Sequence, residues 1–195
     1  QKHDQNTNVE LNTICCAKVP KWLDKQECDI GYVQMIDISD NGNSKVIPLF
    51  QEKLCIMTSP NHPLAKQKEV YLKDFNEQSF TFTYAECCFT DKFRNDLKQA
   101  DVQLKSELFL GSVTAVVDSC LMHDRLCLIP YVAIDKLKEY GLTQVNWIDA
   151  FNIYDCVLTQ NTVKKNDKLY PLLEATKEYC LSLKKDNKTK DIVLL

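Results

Sequence analysis

Glycine is scarce in this chain: there are four in 195 residues, at positions 31, 42, 111 and 141. Phosphate-cradling loops need clustered glycines so that backbone can close on the ligand. Both the Walker A loop and the G-x-G-x-x-G turn are therefore excluded. The ten cysteines include no C-x-x-C pair, which removes thioredoxin-type chemistry and zinc ribbons, and H-E-x-x-H is absent too. No apolar run approaches the roughly 18 residues of a spanning helix, and the polar start does not resemble a signal peptide. An excess of positive charge is also missing. With 24 basic and 27 acidic residues, a net of -3, these residues carry no overall field to hold nucleic acid. A starting Met is lacking, which predicts sequence upstream of Gln1. Nothing in the pattern calls for a metal, a cofactor or a membrane partner.

What is present is a core-forming composition, 45% hydrophobic, enough for one large domain or two small lobes. Cysteines at this density in so long a chain, without an export signal, read as reduced thiols of the cytoplasm rather than a disulfide scaffold. Short apolar runs alternate with amphipathic stretches, the signature of an α/β sheet with crossover helices.

Strands are expected at Val9 to Ile14, Cys28 to Val33, Val46 to Phe50 and Lys53 to Thr58. A helix with Pro20 in its first turn separates the first two. Ser59 to Pro63, with two prolines, then breaks the pattern. Beyond it Phe80, Phe82 and Tyr84 alternate as a strand, and Phe89, Phe93 and Leu97 follow at helical spacing. Leu104 to Leu110 is the next strand. Ser112 stands where it would N-cap a helix with Val113, Val116, Val117, Cys120 and Leu121 on one face. Leu126 to Ile129, closed by Pro130, is a buried strand, and a short helix through Ile134 and Leu137 ends at Gly141. Strands at Gln144 to Ile148 and Ile153 to Thr159 precede a last helix, with Leu169, Leu172, Leu173, Tyr179, Cys180 and Leu183 toward one side.

Several of these segments together resemble the effector-binding domain of LysR-type transcriptional regulators. Leu49 to Ala65, reading L-F-Q-E-K-L-C-I-M-T-S-P-N-H-P-L-A, follows that family's "L-x-x-E-x-L" strand and "H-P-L-A" turn. Asn8 to Leu11 resembles its "P-x-V-x-L" segment without the proline, and Asp29-Ile30-Gly31 its "D-hydrophobic-G/A" strand. Tyr71 to Phe75 stands where its "hydrophobic-x-L-x-D-L" helix would. Cys87 to Phe93 is similar to "C-x-Y-R-x-x-F", with Thr90 in place of arginine. Leu126 to Pro130 falls where "G-x-G-I-x-x-L-P" normally sits, with His123 and Arg125 replacing both glycines.

The resemblance implies two Rossmann-like α/β lobes joined by two crossover strands, a type 2 periplasmic-binding-protein-like fold. Lobe I would be residues 1–58 plus 160–195, without the family's first strand and helix, and lobe II residues 59–159. It also implies a small-molecule effector held between the lobes, a homodimer or tetramer in the intact protein, and DNA binding only through a separate N-terminal helix-turn-helix domain. A periplasmic-type solute receptor or a thiol-based redox sensor on the same fold are the alternatives.

In such sheets ligands sit beyond the carboxyl ends of strands, where helix N-termini offer N–H groups. That places candidate ligand residues at Cys16, at Gln34, at Tyr84, Cys87, Cys88 and Thr90, and at Ser112 and Val113. Plain N-capping accounts equally for Thr90 and Ser112, and burial for the cysteines. No nucleophile has a base nearby in sequence, so no catalytic residue is assigned and no enzyme is expected. His62, between prolines, suits a side chain bonded to nearby backbone, and His123 suits a helix C-terminus. Lys184, Lys185, Lys188 and Lys190 read as a solvated basic end.

Overall fold

The computed structural model describes residues 9–38, 44–165, 167–185 and 192–194. His3, Lys188 and Lys190, and the side chains of Leu183, Lys184 and Lys185, lie outside what is described. By its contacts the chain divides into two compact units, residues 1–51 with 154–195 and residues 52–153. It passes from the first to the second along one 14-residue strand, Lys45–Thr58, and returns along another, Asn152–Thr159. The units therefore change over inside these strands, earlier than the breaks at 58/59 and 159/160 expected from the sequence. A continuous strand needs no loop to cross over, so the proline pair merely follows the crossing.

In unit 1 a 3-10 turn at Cys16–Lys18 runs into α1 (Val19–Asp24), with Pro20 in its first turn. Proline is tolerated there because its missing N–H would have had no helical partner. β1 (Ile30–Met35) pairs antiparallel with the returning strand, from Ile30↔Thr159 to Met35↔Tyr154. Val19 and Leu23 pack against Val33, Cys156 and Leu158. Helix and strand approach so closely that a Cβ on Gly31 would lie 2.1 Å from Val19 Cγ1, which explains the glycine of the Asp-Ile-Gly segment. The Gln160 side chain bonds the Leu23 carbonyl and fastens the helix end.

The strand through Lys45–Thr58 is β2. Two strands were expected here, Val46 to Phe50 and Lys53 to Thr58, interrupted at Gln51-Glu52. Instead Glu52 is 1% exposed and its carboxylate accepts the Val132 N–H at 2.6 Å, so a charged residue continues the strand. Val9 to Ile14 forms no strand, contrary to expectation, and Leu11 is 85% exposed. Its alternation suits a sheet edge, but a strand persists only with a ladder partner.

In unit 2 the second half of β2 pairs antiparallel with β5 (Leu126–Pro130) and with β6 (Thr143–Val145). β3 (Ser79–Phe82) runs parallel to β5 and to β4 (Ser106–Phe109). The connections are α2 (Cys88–Gln99), α3 (Val113–His123) and α4 (Ile134–Glu139). β6 is shorter than the strand expected at 144–148, since Trp147 only bridges Val70.

Alternation along β3 sends its side chains to opposite faces. Phe80 and Phe82 join Phe75, Phe93 and Trp147 in a buried aromatic cluster with ring centroids from 5.2 Å apart. Thr81 bonds Ser119 of α3 at 3.0 Å. Beyond it Cys55, Val116, Val117, Cys120 and Cys127 build a second core with Ile134 and Leu137 of α4.

The turn after α3 differs from the glycine-rich pattern. Asp124, between His123 and Arg125, takes the left-handed conformation with φ 49°. Arg125 then reaches back across the sheet. It donates to Phe80 O at 2.8 Å, Thr81 Oγ1 at 2.9 Å and Ser106 Oγ at 2.9 Å, tying the starts of β3, β4 and β5 together.

The returning strand is β7 (Asn152–Thr159). It leads to α5 (Tyr170–Lys185) and a short β8 (Ile192–Leu194) that pairs with β2 and was not expected. α5 starts after Leu169, and Tyr179 is 62% exposed, so the inward side is narrower than anticipated: Leu173 and Cys180 are its buried residues among those described. No helix among the described residues is long and apolar enough to cross a membrane.

Candidate functional site

The carboxyl ends of β3 and β4 lie side by side because the two strands are parallel neighbours. Their exits stay in register past the last strand residues, Leu110 N–H donating to Phe82 O at 3.0 Å and Gly111 N–H to Thr83 O at 2.8 Å. Gly111 holds a φ of +63°, which lets the chain turn sharply into α3. Each strand thus delivers a helix N-terminus to the same edge of unit 2, and the first amides of a helix have no intrahelical acceptor.

The two helix starts differ. Cys87 is the N-cap of α2, without a side-chain cap bond, and Asp91 stands in the first turn. That carboxylate already occupies the favourable end of the dipole. Ser112 caps α3, its Oγ accepting the Ala115 N–H at a long 3.5 Å, and the first turn of α3 carries no acid. Ser112 is exposed and Val113 is 54% exposed. The α3 start is therefore the better place for an anion, with two backbone donors and a hydroxyl that is only weakly engaged.

Of the residues singled out from sequence, six belong to this edge. Tyr84 sits half-buried just after β3, and Cys88, also half-buried, is the first residue of α2. Cys87 is 5% exposed. Thr90, considered as a cap, is instead the third residue of α2 and 1% exposed; the chain enters the helix at Cys87, so its hydroxyl lies inside the fold. Ser112 does cap, as expected. Cys16 and Gln34 belong to unit 1. Cys16 is half-buried in the 3-10 turn before α1. Gln34 donates its Nε2–H to Asp155 Oδ1 at 3.0 Å across the β1/β7 ladder.

His62 is structural, as its setting between prolines suggested. It is 4% exposed, and its Nδ1 accepts the Leu64 N–H at 3.1 Å. Desolvation holds its pKa below the usual 6.5, against a weaker upward pull from Asp124. Sequence reasoning overlooked Asp155 and took Arg125 only as the replacement of a glycine. Asp155 left one signal, a lone carboxylate inside the apolar run Ile153 to Leu158.

Two α/β units, joined by two crossing strands and presenting helix N-termini at strand carboxyl ends, define a type 2 periplasmic-binding-protein-like ligand-binding fold. Within that class the chain belongs to the LysR substrate binding domain family, whose profile matches residues 1–159. The regulatory domain of CcmR from Synechocystis PCC6803, in complex with 2-PG, superposes with a TM-score of 0.71 at 15% identity, covering 90% of this chain and 83% of that one. The effector binding domain of QuiR in complex with shikimate gives 0.65 at 18% identity, over 88% and 79%. Full-length CbnR, complexed with its target DNA, gives 0.63 at 11% identity, over 89% of this chain and 58% of that one. No curated protein sequence matches the chain significantly. At these identities the structures establish the shared fold.

Proposed function

We propose that this chain is the effector-sensing regulatory domain of a LysR-type transcription factor, and that its effector is a small anionic metabolite received at the carboxyl edge of β3 and β4. The α3 start carries the reading: Ser112 and the amides of Val113 and Thr114 form an uncrowded donor set with no first-turn acid. The relatives with bound 2-PG and shikimate support a metabolite as the ligand. The net charge of -3 supports assigning DNA contact to another part of the polypeptide, with the regulator acting as a cytoplasmic homodimer or tetramer. Its task is to report occupancy, and the reading assigns it no reaction. The solute-receptor alternative is not favoured, because the family match is to the regulators' domain.

The test is a thermal-shift screen of organic acids and phosphate esters, followed by amide chemical-shift mapping. A true effector at 100 times its dissociation constant should add about 2.7 kcal/mol and move the amides of Ser112, Val113 and Thr114. Ser112→Ala should weaken it by roughly tenfold, the loss of about one hydrogen bond to a charged group. If no anion stabilises the protein, or if binding leaves these amides and the Ser112→Ala affinity unchanged, the reading is wrong.

A further inference from the structure

The second core of unit 2 is rich in sulfur, and the effector edge uses none of it. Cys55 and Met57 stand two apart on β2, so they point to one face, and the strand register sets Met57 opposite Cys127 of β5. Directly opposed residues of a ladder bring their Cβ atoms within roughly 4.5–5.5 Å. α3 lays Cys120 onto the same face, one turn beyond Val116 and Val117. Met57, Cys120 and Cys127 are each 0% exposed, and the two thiols are hydrogen-bonded to each other. Cys55 is engaged to the side, donating to Lys53 O at 4.0 Å and accepting the Gln144 Nε2–H at 3.7 Å.

The donors of this cluster are soft. Around the cysteines and Met57 it contains only valine, isoleucine, leucine, alanine and tyrosine side chains. Zinc takes four ligands in a tetrahedron, and calcium and magnesium take oxygens; the cluster supplies neither set. Thiolate and thioether sulfurs together favour soft cations such as Cu(I). Charge decides between a monovalent and a divalent ion. Two thiolates around a monovalent ion keep one negative charge, which is costly in apolar surroundings unless it is paired. Arg125 provides the opposite charge: burial pulls its guanidinium down and the nearby Cys120 sulfur holds it up, while Phe80 O, Thr81 Oγ1 and Ser106 Oγ fix it in place. The hydrogen bond with Cys120, and then burial, hold the Cys127 thiol well above its ordinary pKa, so that sulfur keeps its proton until a metal displaces it.

We propose that Cys120 and Cys127, with Met57 as a weaker third donor, form a buried site for a soft monovalent cation of the Cu(I) class. Binding exchanges protons for the ion: each thiol releases its proton to solvent, two sulfur–metal bonds form, and no electron changes hands. The resulting bis-thiolate complex carries a single negative charge beside Arg125. The ion enters at the end of α3, because Cys120 stands in its last turn, before the left-handed Asp124, and element ends open at low cost. The two thiols share no metal-binding spacing in the sequence and meet only because α3 packs on β5.

Ag(I), which shares the preference for sulfur and is not readily oxidised, is the probe, and Zn(II) is the comparison. Each is titrated into the reduced, isotope-labelled chain in excess glutathione, a monothiol that strips Ag(I) from isolated cysteines but not from a chelating pair. The chain has three methionines, so labelled methyl groups report on Met57 separately, beside the amides of Cys120 and Cys127. Ag(I) should move all three signals to a saturated position, while Zn(II) leaves them in place. Cys127→Ser should abolish the shifts at Met57 and Cys120, and Cys120→Ala should abolish those at Met57 and Cys127 if the serine variant does not fold. Met57→Leu should keep the cysteine shifts and weaken affinity by about tenfold. Unmoved signals overturn the proposal, as do shifts that survive the loss of either thiol or equal shifts with Zn(II). No anion is present in the titration, so failure here is distinct from failure of an anion to bind at Ser112.

Discussion

Replacing Gly31 by alanine adds one methyl where α1 crosses β1, and the structure states what it meets. The new Cβ would stand 2.1 Å from Val19 Cγ1, while the other Val19 carbons lie at 3.4 and 3.6 Å. Carbon atoms prefer roughly 3.5–4.0 Å, so Val19 must retreat by more than 1 Å (roughly) along that line. It has little room, being 5% exposed and packed with Leu23, Val33, Cys156 and Leu158. Overpacking of this kind costs about 1–3 kcal/mol. Val19→Ala alone removes two methyls from the same core and should cost about 1–3 kcal/mol by cavity formation. The double variant is informative because the alanine methyl at 31 occupies space that Val19 vacates. Its cost should fall short of the sum by at least about 1 kcal/mol. Urea unfolding measures this, provided that unit 1 is followed separately, since two units need not melt together. The chain has two tryptophans, Trp22 in α1 and Trp147 in unit 2, so Trp22 emission in a Trp147→Phe background reports on unit 1. Additive costs within about 0.5 kcal/mol would refute the close approach of α1 to β1.

The buried His62 makes stability depend on pH. Its pKa is lowered in the fold by desolvation, so its contribution is complete above the unfolded value of 6.5 and is lost as pH falls through the folded value. Thermal melts should decline between neutral and acid pH more steeply for the unaltered chain than for His62→Asn, which keeps an acceptor but does not titrate; equal slopes would contradict this. Arg125→Leu removes the donors to Phe80 O, Thr81 Oγ1 and Ser106 Oγ and should destabilise unit 2 by about 2–4 kcal/mol, read from the near-ultraviolet dichroism of Trp147. Among the ten cysteines, Cys16, Cys28 and Cys88 are the half-buried ones, so limited maleimide treatment followed by mass spectrometry should find these modified first. Early labelling of Cys120, Cys127 or Cys156 would contradict the burial assigned to them.

What could be read from the sequence was what is decided locally. The apolar repeat of Phe89, Phe93 and Leu97, the cap at Ser112, the first-turn Pro20 and the alternation through Phe80 and Phe82 each report on neighbours a few residues away. All appear in the structure within a residue or two. The family resemblance rested on the same segments, so fold and class were legible together. Strand ends and helix starts could be placed, which put Ser112 at the cap of α3 as expected, whereas Thr90, considered as a cap, is buried inside α2.

The misreadings share one physical cause, a partner distant in sequence. Gln51-Glu52 reads as a break between two strands until Val132, 80 residues further along the chain, supplies the N–H that lets Glu52 stay inside β2. Val9 to Ile14 reads as a strand, because alternation is visible and the missing ladder partner is not. His123 and Arg125 read as the loss of a glycine turn, yet Asp124 takes the left-handed position and Arg125 spends its side chain on β3 and β4. Asp155 shows the same limit. Inside its apolar run it reads as an isolated charge, and only the register of β1 against β7 brings Gln34, 121 residues away in sequence, to donate to it. Residues whose role depends on a distant segment are therefore the ones that a local pattern misreads, whether they match the family motif, as Glu52 does, or replace part of it, as Arg125 does.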